Sequence, residues 1–340
     1  MSSSVDILKV NEIYQGDCLN EMPKIPDKSI DMILCDLPYG TIACKWDTII
    51  PFEPLWEQYK RIIKDNGAIV LTASQPFTSA LVMSNMEWFR YEMIWSKNRG
   101  TGIFNAKKIP MKSHENILVF YLDKAEISGR SKEFLKLRDY FNEELKKSGL
   151  TSKQVKSLLG NDMGGHYFTK GIQWTLPTSE NYQKLQTTGF FKRDYGELKK
   201  EFNLISEKCL NTYNPQMIKG KPYTAKQGKQ SDGFGLKTGK EITTENNGER
   251  YPLTVLNFNS ENGRNIHPTQ KPVALFEYLI KTYTNEGDIV LDNCAGSGTT
   301  GIASINTKRN YILIEKDEHY CEVARNRIEE YLYRLNKKLL

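Results

Sequence analysis

Short apolar runs of strand length alternate with helical segments at both ends of this 340-residue chain, and the middle is different in kind. Ser29–Cys35 and Ala68–Thr72 read as buried strands, separated by helical spacing over Pro54–Ile63 and a turn at Asp65-Asn66-Gly67. Trp88–Trp95 and Asn116–Tyr121 read as two more strands. Near the other end Val273–Tyr283 reads as a helix, Asp288–Leu291 as a strand, Thr299–Asn306 as a helix and Asn310–Glu315 as a strand. An amphipathic helix over Glu318–Leu335 follows. Strands this apolar need cover on both faces, so the pattern predicts an α/β three-layer domain with a mostly parallel central sheet.

The middle predicts an insert. Lys132–Ser148, Thr151–Leu159 (opened by a capping Thr) and Thr178–Leu185 have helical spacing and could form a small bundle. Residues 219–249 are rich in Gly, Lys, Gln and Thr, a composition that cannot bury a core, so a flexible loop is expected there. The domain thus comprises residues 1–122 and 251–340, interrupted by an insert over 123–250. Residues 123–250 carry 23 Lys/Arg against 16 Asp/Glu, while the other residues carry 24 against 25, so the net charge of +6 sits in the insert. A polyanion would be drawn to it. No stretch approaches the roughly 20 apolar residues of a membrane helix, and the N-terminus lacks the basic and apolar regions of a signal peptide. The six cysteines are scattered without a CxxC pair, and the four histidines have no ligand spacing. These counts suggest reduced thiols in the cytoplasm and no metal.

Two motifs stand directly after apolar runs, where open α/β sheets hold ligands. The first is Asp36-Leu37-Pro38-Tyr39. The second is Asp292-Asn293-Cys294-Ala295-Gly296-Ser297-Gly298-Thr299-Thr300, which opens a helix. Glycines here let the backbone approach a ligand, and without a following Lys this is no phosphate-binding P-loop. Glu315, about 20 residues on, ends the next strand, where an acid can hold a ribose hydroxyl pair. Taken alone, the first motif is also a strand closing in a proline turn, and the second suits any adenosine-containing cofactor, NAD included.

Together the two motifs resemble motifs IV and I of the β-class DNA amino-methyltransferases, in which the catalytic half precedes the cofactor half. Gly16-Asp17-Cys18, Thr72-Ala73-Ser74-Gln75-Pro76-Phe77 and His267-Pro268-Thr269-Gln270-Lys271-Pro272 stand in that family's order, and the likeness covers roughly residues 11–121 and 251–335. The resemblance implies a Rossmann-like methyltransferase domain that uses S-adenosylmethionine on double-stranded DNA, with a mainly helical target recognition insert, in a family whose members often pair as homodimers. Asp17 and Cys18 would meet the cofactor's adenine end and Glu315 its ribose. Asp292, Gly296, Ser297, Gly298 and Thr299 would line the methionine end, and Cys294 and Ala295 of the same loop would also bind the cofactor. Thr269 and Lys271 would lie near its carboxylate, and Asp36 borders the same site. Asp36, Leu37, Pro38 and Tyr39 would be catalytic, holding a flipped adenine. Lys97, Arg99, Lys107, Lys108 and Lys112 resemble the family's loop that packs against DNA phosphates.

The chain departs from the family twice. Leu37 replaces the usual second proline, although its carbonyl does the work, and Cys294 replaces an aromatic residue of the glycine motif. Asp36 in the first tetrapeptide position goes mostly with adenine N6 and a Ser mostly with cytosine N4. The alternatives are cytosine-N4 methylation, a DNA-binding regulator with an inactive methyltransferase domain, a nicotinamide-dependent dehydrogenase, and methylation of an amide or amine in protein or RNA.

Overall fold

Residues 7–41, 47–122, 132–169, 174–209, 211–227, 242–260 and 270–339 are described by the computed structural model. In chain order the strands are β1 (Glu12–Gln15), β2 (Ile30–Cys35), β3 (Ile63–Ala73), β4 (Phe89–Thr101), β5 (Lys112–Tyr121), β6 (Ile218–Lys219), β7 (Tyr223–Gln227), β8 (Ile242–Asn246), β9 (Glu249–Arg250), β10 (Val255–Asn257), β11 (Ile289–Asp292) and β12 (Asn310–Glu315). The helices are α1 (Cys18–Glu21), α2 (Phe52–Ile62), α3 (Phe77–Ser84), α4 (Lys132–Ser148), α5 (Ser152–Leu159), α6 (Gly164–Tyr167), α7 (Ser179–Gln186), α8 (Tyr195–Cys209), α9 (Val273–Tyr283), α10 (Thr299–Asn306) and α11 (Glu318–Leu339).

Side chains in the apolar strands divide between two faces with the period of two that a pleat imposes. Ile33 and Cys35 of β2, Ile69 and Leu71 of β3, and Leu118 and Phe120 of β5 pack with Leu55, Tyr59 and Ile62 of α2. Met32, Leu34, Val70, Ile117 and Val119, from the alternate positions, pack with Leu275, Leu279 and Ile280 of α9. Helices therefore cover both faces. Among the described residues the sheet has eight strands in the order β1-β12-β11-β2-β3-β5-β4-β10. Only β5 runs against the others.

Residues 65–67 correct the sequence reading. The expected turn lies inside β3, where the ladder steps from Ile30–Ile63 to Met32–Ala68, a bulge-like break with the extra residues on β3. Gly67 is needed there because a Cβ would stand 2.7 Å from the Asp31 carbonyl oxygen. β4 and β5 also run past their expected ends, and together they form a hairpin arm that reaches beyond the sheet.

The insert has a core of its own. Leu137 and Phe141 of α4, Val155 and Leu159 of α5, Tyr182 and Leu185 of α7 and Leu198 of α8 are buried together with Trp174 and Phe191. Thr151 caps α5 through a reciprocal pair with Gln154, and Thr178 caps α7. Where composition pointed to a loop near 219–249, the described residues pair as two short antiparallel ribbons, β6 with β9 and β7 with β8. Ladder hydrogen bonds make these ribbons, so their sequence needs no apolar face.

Candidate active site

Five parallel strands bring their carboxyl ends to one edge of the sheet. Asp17, Asp36, Ser74, Asp292 and Glu315 follow or close β1, β2, β3, β11 and β12. The chain steps one way from β2 to β3 and the other way from β11 to β12, so the order reverses between β2 and β11. Ligands of open α/β sheets sit at such a switch point. A cavity of about 1040 Å³ opens there. Asp17, Cys18, the whole tetrapeptide Asp36–Tyr39, Lys271, Asp292, Cys294 through Ser297, Thr299 and Glu315 line it. Gly298 stands behind the wall, and Thr269 lies outside the described residues.

Asp36 is ringed by donors. Its Oδ1 accepts from the Tyr39 hydroxyl at 2.7 Å and from the Thr72 hydroxyl, and its Oδ2 from the Lys271 ammonium. Tyr39 stacks on Phe77 with centroids 5.2 Å apart and rings 26° from parallel. Burial, reinforced by the negative charge of Asp36, holds the Tyr39 hydroxyl well above its ordinary pKa, so it stays a donor. Lys271 was expected at the cofactor's carboxylate. In the cavity wall it is buried and paired with Asp36, with Glu115 Oε2 3.5 Å away. Burial opposes its charge, but the two carboxylates outweigh burial and raise its pKa.

The cofactor half holds its acids differently. Asp292 is buried, accepting from the Cys294 amide at 3.1 Å and from the Thr300 hydroxyl. Burial pushes its carboxyl up to about 7. Glu315 bridges the glycine loop: Oε2 accepts from the Gly296 amide at 2.7 Å and Oε1 from the Asp317 amide at 2.9 Å. Burial raises its pKa as well. Asp17 caps α1 through the Leu19 amide and pairs with Lys316 at 2.9 Å, a hydrogen bond that lowers its pKa. The thiols of Cys18, Cys35 and Cys294 meet beneath the loop, where hydrogen bonds to the other two raise the pKa of Cys294.

The basic residues separate. Arg99, Lys107, Lys108 and Lys112 are exposed along the hairpin arm. Lys97 turns inward, which corrects its expected place at a phosphate. It is paired with Glu115, is 13% exposed, and lies 4.7 Å from the Trp95 ring centroid. No group of metal-ligating residues gathers among the described residues.

Sequence reasoning missed Glu115, Lys316 and Arg327 as site residues, and it named Thr72 in a family segment without its contact to Asp36. Arg327 of α11 donates to the Ser297 carbonyl at 2.9 Å and to the Ser297 and Thr299 hydroxyls, clamping the glycine loop from 30 residues away. Nothing in the local pattern marks it. Glu115 had a signal, an acid opening an apolar strand, but its neighbours come from other strands.

Comparison with known proteins gives the chain a family. The family model for N6/N4 methyltransferases, described as DNA methylase, matches residues 30–326. Type II methyltransferase M.HinfI of Haemophilus influenzae is 23% identical, the alignment covering 94% of this chain and 69% of that protein. Type II methyltransferase M2.MboI of Moraxella bovis is also 23% identical, over 94% of this chain and 87% of its own length. The crystal structure of an M1.HpyAVI–SAM complex overlaps 93% of this chain and 98% of its own, with 19% identity and a TM-score of 0.48.

Proposed function

The chain belongs to the N6/N4 DNA methylase family, and we propose that it methylates the N6 amino group of adenine in duplex DNA. S-adenosylmethionine is the family's methyl donor, and when bound it supplies an electrophilic methyl group on its sulfonium. The cavity suits it. Gly298, at φ +76°, lies so close to α11 that a Cβ there would stand 3.0 Å from Ala324 Cβ, so a glycine is needed to seat the loop on that helix. Asp17 and Glu315 offer carboxylates for the amino group and ribose hydroxyls of an adenosine, and Asp292 with Gly296 through Thr299 offers a polar wall for the methionine end.

The observation that carries the reading is the Asp36–Tyr39 turn at the bottom of this cavity. An adenine amino nitrogen is a poor nucleophile because its lone pair is delocalised into the ring. Asp36 can accept one of its protons and the Leu37 carbonyl the other, which favours the tetrahedral nitrogen that attack requires. Pro38 stiffens the turn. Tyr39 presents a ring face on which a base taken out of the duplex can stack. An Asp at the head of the tetrapeptide favours adenine N6 over cytosine N4. Arg99, Lys107, Lys108 and Lys112 are proposed to meet phosphates, and the insert over 123–250 to choose the sequence.

The test is methyl transfer from tritiated S-adenosylmethionine to unmethylated duplex DNA, followed by digestion to nucleosides. Label in N6-methyladenine, lost in Asp36→Ala, is the expected result. Label in N4-methylcytosine keeps the mechanism and overturns the base. A chain that binds the cofactor yet labels no DNA overturns the reading.

A further inference from the structure

Four charged side chains alternate in sign across the floor of the cavity: Asp36, Lys271, Glu115 and Lys97. Their order has a consequence for the reaction. A carboxylate offers about four lone-pair positions, and Asp36 already spends three, on Tyr39, Thr72 and Lys271. The Lys271 ammonium also stands 5.9 Å from the Tyr39 ring centroid, and Phe77 stacks on that ring. A base that stacks on Tyr39 and donates to Asp36 therefore competes with Lys271 for both. As methyl transfer proceeds, positive charge develops on the amino nitrogen, and an ammonium sharing the same carboxylate opposes it.

We propose that Glu115 is a positioning residue that draws Lys271 off Asp36 when the target base arrives, a role that rests on the methyltransferase reading above. Glu115 is built as the second berth. Its Oε2 is buried and already faces the Lys271 ammonium at 3.5 Å, a long contact beside the short one that Lys271 makes to Asp36. A shift of about 0.5 Å brings the two to an ordinary hydrogen-bond distance. Its Oε1 is pinned by Lys97, which rests against Trp95, whose indole donates to the Phe258 carbonyl at 2.8 Å. The reversed direction of β5 puts Glu115 at this edge, paired across the ladder with Trp95. No bond is made or broken in the shift; the ammonium changes partner and the cavity's charge is unchanged.

The experiment compares single-turnover methyl transfer by the full chain and by Glu115→Gln, Glu115→Asp, Lys271→Met and the Glu115→Gln/Lys271→Met double variant. Cofactor affinity is measured by calorimetry for each. Glu115→Gln is expected to slow transfer about 10- to 100-fold with cofactor affinity within about twofold. Glu115→Asp should recover most of the rate. In the double variant, removing the Glu115 charge should cost nothing beyond Lys271→Met alone, because Glu115 acts through that lysine. Additive losses, a wild-type rate in Glu115→Gln, or a loss confined to cofactor affinity each overturn the proposal while the methyltransferase reading stands. A wild-type chain inert on DNA overturns both.

Discussion

Asp36 and Asp292 end adjacent parallel strands at the same edge, yet their surroundings are opposite. Asp36 is 20% exposed and pairs with a cation, while Asp292 is 3% exposed and meets a hydroxyl and a backbone amide. The Lys271 ammonium faces the first. Charge at the second is resisted by burial, so its carboxyl titrates near 7. The two halves of the cavity thus use one residue type for two purposes. Strand position delivers the carboxylate, and the neighbours decide whether it meets a cation or forms a proton-sensitive wall.

The largest effect expected is at the first. Asp36→Ala should reduce methyl transfer by about 10³-fold or more while cofactor affinity, measured by calorimetry, changes only a few-fold. If affinity collapses with rate, the division of labour between the halves is wrong. Asp292→Asn comes next, and its signature is pH. The folded carboxyl binds its proton more tightly than the unfolded one, so folding gains stability from it below about pH 4 and loses that gain as pH rises through about 7. The wild type should therefore lose Tm between pH 5 and 8 more steeply than Asp292→Asn, by the equivalent of a few kcal/mol. Equal slopes would remove the contrast between the two aspartates.

A smaller change tests the clamp on the cofactor side. Arg327→Ala removes three hydrogen bonds from the glycine loop and should weaken cofactor binding about 5- to 10-fold with the single-turnover rate retained. An equal drop in rate at saturating cofactor would mean that the loop also shapes the catalytic half. The smallest effect concerns the DNA side. Replacing Lys107 and Lys108 by Ala should lower the salt slope of duplex binding by about 1 to 2 units without changing sequence preference. An unchanged slope would take the arm away from phosphate.

Both aspartates were legible in the sequence because each follows an apolar strand and precedes a proline or glycine turn. That local signal is enough to place a residue at a sheet edge. Lys271 was legible as a site residue but not its partner, since the Asp36–Lys271 contact joins positions 235 apart. The pairing of Glu115 with Lys97 was not legible, because it depends on β5 being inserted backwards between β3 and β4. Alternation sets which face a side chain takes, and it says nothing about strand order or direction. The same reason applies in the insert, where the capping Thr151 marked α5. Helix α8 went unread because Leu198 and Phe202 acquire meaning only against Trp174 and the other rings they pack on.

The hairpin arm has two ends with different freedoms to vary over evolutionary time. Its turn carries Ile103 at 64% exposure and Phe104 at 100%, side chains on which the rest of the fold scarcely depends. A lineage can rewrite that turn one substitution at a time. At its root, Trp95 supports Lys97, Lys97 pairs with Glu115, and Glu115 faces Lys271. A change at any of these leaves a buried charge without its counterpart or its support. Descendants of this chain should therefore keep the root as a set or exchange it as a set, while the turn drifts residue by residue.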